Sequence, residues 1–129
     1  MIVDRDLTSD EICIGIAQAL DLPLSDVLAV DNMYRSSVPD STRVLCHFQD
    51  VGGDFSQIIS VYIRDNSVPD LSNERIGVFC GVCSCTCLTD SLDENPLAML
   101  LVKGVEKIER VYVSSNVIDE DKYVIEKKS

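Results

Sequence analysis

One histidine, His47, is all the imidazole in this sequence. That leaves little with which to activate a nucleophile, and nothing in the chain ties it to a particular cysteine. Cations are scarce as well: 11 Lys and Arg stand against 22 Asp and Glu in 129 residues, a formal net charge of −11. Nucleic-acid binders need clustered Lys and Arg to displace counterions from phosphates, so direct nucleic-acid binding is set aside. An anionic membrane surface is disfavoured for the same reason. No apolar run approaches the roughly 18 residues that cross a bilayer. The opening, Met1 to Asp6, is acidic and lacks the apolar core of a signal peptide, so a cytoplasmic location is expected. A phosphate-binding glycine loop, a nucleophile elbow and a zinc-protease helix motif are all missing. The Gly52-Gly53 pair is too little for a nucleotide site. The expectation is a protein that is not an enzyme and works by binding.

What the chain does have is apolar material, 46% of its residues, enough for one core in a single domain spanning 1–129. Thr8 and Glu11 form a capping box, with Leu7 and Ile12 placed as a hydrophobic staple around it. Ile12, Ile16 and Leu20, with Cys13 and Ala17 beside them, make one apolar stripe at helical spacing. Asp21-Leu22-Pro23 ends that helix. Val27 to Val30 reads as a short strand after a turn at Ser25-Asp26. Val44, Cys46 and Phe48 alternate with polar neighbours, Gly52-Gly53 supplies a turn, and Ile58 to Arg64 returns as the second strand of a hairpin. Arg75 to Leu88 reads as a long strand bent at Gly77 or Gly81. Leu97 to Lys103 and Lys107 to Val113 flank Gly104-Val105 as a second hairpin. The tail, Val117 to Lys128, holds a helical turn and a short strand at Tyr123 to Ile125. The fold class is α+β: a curved antiparallel sheet of about five to seven strands covered by one N-terminal amphipathic helix.

Six cysteines are present, four of them between Cys80 and Cys87. Four thiols in one short run invite zinc or copper(I). A strand, however, would set Cys83, Cys85 and Cys87 in a row on one face and Cys80 on the other. Thiols in such a row cannot close around one ion, so neither a metal nor another cofactor is expected. Their expected role is to be small apolar side chains where a helix packs close to the sheet.

The acids gather in expected turns: Asp50 and Asp54, Asp65 and Asp70, Asp90 with Asp93 and Glu94, then Asp119, Glu120 and Asp121. Loops at one sheet edge can converge into a patch that steers a cationic protein, raising its on-rate about ten- to a thousandfold at low salt. With this acidic balance, the stretches Thr8 to Asp31 and Cys80 to Lys103 resemble the immunity proteins of bacterial toxin systems, including contact-dependent growth inhibition. The resemblance implies tight one-to-one binding to a cognate basic toxin, often a nuclease domain, blocking its active site or substrate surface. Carboxylates would then occupy the places of phosphates. The partner-binding residues expected on that view are Asp65, Asp70, Asp90, Asp93, Glu94, Asp119 and Glu120. Tyr62 and Tyr112, with Tyr34, are the candidate anchors. Three alternatives stand beside it: a cysteine-rich metal-binding or small interaction module, an orphan enzyme using Cys83, Cys85 or His47, and a phage-type mimic of DNA charge whose target binds nucleic acid rather than cleaving it.

Overall fold

The computed structural model describes residues 1–31, 38–90, 97–113 and 122–128, the last segment mostly as backbone. The helix start expected at Thr8 forms as the sequence dictates. The Glu11 N–H donates to Thr8 Oγ1 at 3.2 Å, and the Thr8 N–H donates to Glu11 Oε1 at 3.1 Å. Helix α1 (Ser9–Leu20) runs from there, burying Ile12, Ile16 and Leu20, and stops at Asp21, whose φ of 57° lies in the left-handed region. A 3₁₀ turn over Leu24–Asp26 leads into β2 (Val27–Val30). The strands β1 (Ile2–Val3), β3 (Val44–Asp50), β4 (Gly52–Gly53) and β5 (Gln57–Ile63) complete the first half. The second half holds α2 (Asn73–Cys83), β6 (Cys87–Asp90), β7 (Ala98–Gly104), β8 (Lys107–Val113), β9 (Lys122–Tyr123) and β10 (Ile125–Lys128).

The main sheet has the order β10-β8-β7-β6-β1-β5-β3-β2, and β4 pairs with β9 separately. Both expected hairpins are present, β3 with β5 and β7 with β8, each antiparallel. Two expectations are corrected, and one strand is new. The sheet is mixed, because β2 lies parallel to β3. It has eight strands, one beyond the expected range. The two-residue β1, too short to show any alternation, joins as the bridge between β5 and β6.

The largest correction concerns Arg75 to Leu88. This stretch is not one strand but helix α2, a turn and strand β6. Ser72 caps the helix, accepting from the Arg75 N–H at 3.3 Å. Ile76, Phe79, Cys80 and Cys83 then fall at helical spacing and are all buried. Gly77 and Gly81, each costing a helix about 1 kcal/mol relative to alanine, disguised it.

Two helices therefore share one face of the sheet. Their apolar residues join Val3, Val44, Cys46, Ile59, Cys87 and Val102 in one core. The neighbours in sequence, Ile2, Leu88 and Leu101, point the other way and meet Phe55, Val111 and Val113 in a smaller core. The helices run antiparallel, and an arginine closes each end of the pair. Arg5 donates to the Cys83 carbonyl at 2.6 Å and lies 3.2 Å from Glu11. Arg75 donates to the Ala19 carbonyl at 3.0 Å. Both cations sit on helix C-terminal carbonyls, where the helix dipole favours them.

The chain entering α1 is held to β5 by one buried side chain. Gln57, 4% exposed, donates its amide to the Leu7 carbonyl at 2.9 Å and accepts from the Leu7 N–H at 3.0 Å. Gln57→Ala would strand both backbone groups away from water. We expect a loss of about 2–4 kcal/mol, read as a lower urea midpoint at an unchanged slope. A shift within error would mean that water reaches Leu7. Among the described residues no helix is long and apolar enough to cross a membrane.

Candidate functional site

The register of the sheet decides which acidic and aromatic residues share an end. Strands β5 and β6 are both antiparallel to β1, so they run the same way, Leu88 level with Ile58, and β5 continues three residues beyond the level of Asp90. Tyr62 stands near the end of β5 opposite Leu45, and Asp65 follows that strand. Asp90 is the last residue of β6, opposite Met99, and Tyr112 lies near the end of β8, opposite Ala98. These four residues therefore lie at one end of the sheet. From β8 to β5 is four strand spacings, roughly 19 Å. Asp70 is exposed in the loop before α2. Asp50 ends β3 at the opposite end of the sheet. Asp54 accepts there from the Ile125 N–H at 2.9 Å. Asp93, Glu94, Asp119, Glu120 and Tyr34 lie outside the described residues.

This end is less uniformly acidic than the sequence suggests. Arg43 stands between Asp26 and Asp65, 2.9 Å from each carboxylate, and also donates to the Ser67 hydroxyl at 2.6 Å. The Ser67 N–H donates to the second Asp65 oxygen at 2.9 Å. The Ser67 hydrogen bonds first, then the guanidinium, hold the Asp65 carboxyl below its ordinary range. Asp65 is thus committed within the fold, where the sequence reading had it free for a partner. The neighbouring hollow, about 370 Å³, carries Arg43 and Arg64 as well as Asp40 and Asp65. Tyr62 is 47% exposed. Tyr112 is half-buried, with the Arg110 guanidinium 5.4 Å from its ring centre.

The second constellation is the one that sequence reasoning arranged wrongly. Ser84, at the end of α2, has a φ of 53°, and its N–H donates to the Cys80 carbonyl. The Cys85 N–H donates to the same carbonyl at 3.1 Å. This left-handed cap folds the chain back under the helix and into β6. As a result the sulfurs of Cys80, Cys85 and Cys87 all lie within 4.8 Å of one another. They are 2%, 8% and 0% exposed. The expected row of Cys83, Cys85 and Cys87 does not exist, because Cys80 and Cys83 are on a helix. Cys83 turns toward α1 and donates to the Glu11 carbonyl at 3.5 Å.

The lone thiols behave as buried apolar groups. Burial pushes Cys46 up to about 12 and Cys83 up to about 11. The trio is different, since each sulfur has two others as neighbours. Hydrogen bonds from Cys85 and Cys87 favour the thiolate at Cys80, while the same bonds hold Cys85 and Cys87 protonated. The protons belong to the group as a whole, and the charge left by the loss of one opposes the loss of a second. While protonated, Cys80 donates to the Val102 carbonyl at 3.3 Å. The Met1 sulfur lies 3.9 Å from that of Cys87. His47 alternates with Cys46 along β3, so it stands on the face away from these thiols. Buried to this degree, the trio offers no access for a substrate, but it is a set of soft ligands. No protein-family model, curated protein or solved structure matches this chain.

Proposed function

We propose that this protein acts by binding, as an immunity-type inhibitor that covers the active site or substrate surface of a cognate basic toxin, a nuclease domain, one to one in the cytoplasm. The observation that carries the reading is the register. It sets Tyr62 and Asp90 on one face at one end of the sheet, with Tyr112 at the same end on the other face, in a chain with eleven excess negative charges. In this reading Tyr62 supplies the apolar anchor and Asp90 an exposed carboxylate at the end of its strand for a phosphate-binding Lys or Arg. Asp70, Asp93, Glu94, Asp119 and Glu120 add to the field that draws a cation in, and Tyr112 flanks it. Asp65 serves instead to fix Arg43. The chain itself carries out no turnover.

The test is a complex with the toxin domain encoded beside this protein's gene. Association should slow steeply as salt is raised from low to physiological strength. Asp90→Asn, Asp93→Asn and Glu94→Gln together should weaken binding about tenfold or more, chiefly through the on-rate. Tyr62→Ala should weaken it about thirtyfold, chiefly through dissociation. Unchanged affinity in both variants would move the contact away from this end of the sheet. A partner that binds equally well at high salt would remove the electrostatic basis of the proposal.

A further inference from the structure

We propose that Cys80, Cys85 and Cys87 form a three-sulfur site for a thiophilic closed-shell cation, zinc(II) or copper(I), which ties the end of α2 to the start of β6. The first support is geometric. An ion about 2.3 Å from each of three sulfurs holds them roughly 3.8–4.0 Å apart. The three sulfurs already lie within 4.8 Å of one another. Adjustments below an ångström, within reach of side-chain torsions, would close them around an ion. The sulfurs also approach from three differently directed pieces of backbone: the last turn of α2, the link after Ser84, and the first residue of β6. That convergence is what a single strand could not provide.

The donor set selects the ion. All three ligands are sulfur, and the site is almost wholly shielded from water. Magnesium and calcium demand oxygen ligands and keep water, whereas thiolates favour zinc and copper(I). Cys85, the most exposed of the three at 8%, marks the side from which an ion would enter. Binding needs no oxidant or reductant. Each sulfur that ligates gives its proton to solvent as the metal–sulfur bond forms, and the metal keeps its oxidation state. Three thiolates on zinc carry one net negative charge and leave a fourth position open. Copper(I) is satisfied by three sulfurs or fewer. Cys46 and Cys83 are buried in the same core but lie outside this cluster of three sulfurs. The trio has its sulfurs turned on one another.

The full chain, reduced and stripped of metal, can be titrated with zinc against a colorimetric chelator. Anaerobic copper(I) against a copper(I) chelator makes the second arm, with cobalt(II) as a spectroscopic reporter. One ion per chain, a sulfur-to-cobalt charge-transfer band, release of two to three protons (~2–3, one for each ligating thiol) and a higher melting temperature are expected. Cys80→Ser, Cys85→Ser and Cys87→Ser should each abolish this, while Cys83→Ser, in the same stretch but outside the trio, should leave it intact. Tight zinc uptake with a tetrahedral cobalt spectrum identifies the zinc form, and copper uptake alone the copper form. Both support the site. Absence of the charge-transfer band together with no tight uptake of either ion by the wild-type protein overturns it, and so does uptake that survives loss of all three cysteines. A stable disulfide within the trio whose reduced form takes up neither ion overturns it too. None of these readouts depends on the toxin complex.

Discussion

Replacing Gly77 by alanine will destabilise the protein by about 3 kcal/mol, while the same change at Gly81 will stabilise it by about 0.5–1 kcal/mol. Both glycines lie in α2, so propensity alone would make both changes favourable. Tertiary contact reverses one of them. A Cβ at Gly77 would stand 2.7 Å from the N and Cα atoms of Val105 and 2.8 Å from the Gly104 carbonyl carbon. These are backbone atoms of the turn between β7 and β8, and the ladder on either side keeps them from giving way. Overpacking usually costs about 1–3 kcal/mol, and a collision with backbone belongs at the upper end. A Cβ at Gly81 would meet nothing within 4 Å. Urea titration of the two variants reads the signs directly. Gains of similar size in both would mean that α2 does not rest on this turn.

Phe79→Ala is expected to remove about 3–5 kcal/mol, the largest single loss among the core residues. The ring is 0% exposed and sits at the crossing of the two helices. Its edge occupies the space where Gly15 would carry a side chain: a Cβ there would come 2.7–2.8 Å from ring carbons and 2.6 Å from the Cys83 sulfur. Against a total stability of about 5–15 kcal/mol, such a loss can bring the chain close to unfolding at room temperature. The milder Phe79→Leu keeps a measurable folded state. Gly15→Ala alone should destabilise by about 1–2 kcal/mol, the overlap outweighing the helix preference of alanine. In the Phe79→Leu background it should do so by at least about 0.5 kcal/mol less, because the smaller side chain leaves room. Strict additivity in that cycle would show that the helices cross elsewhere.

Where neighbouring residues alone set the conformation, the sequence was sufficient. The start of α1 rests on Thr8 and Glu11, three positions apart, and its stripe buries Ile12, Ile16 and Leu20 as spacing demands. The hairpins β3–β5 and β7–β8 follow from alternation on both sides of a short connection. The acidic balance, 22 acidic against 11 basic side chains, is composition. The remaining features were decided by contacts distant in sequence. Gly77 weakens α2 locally because Val105, far along the chain, needs the space, so the helix resembled a bent strand. Two-residue β1 has no period to detect and exists only because β5 and β6 pair with it. The parallel β2–β3 pairing and the capture of Asp65 by Arg43 join segments that no local pattern relates. The three thiols meet because Ser84, not a glycine, adopts a left-handed conformation there. Nothing in the residue type announces that turn. It is packing of the helix end against the sheet that pins it in place.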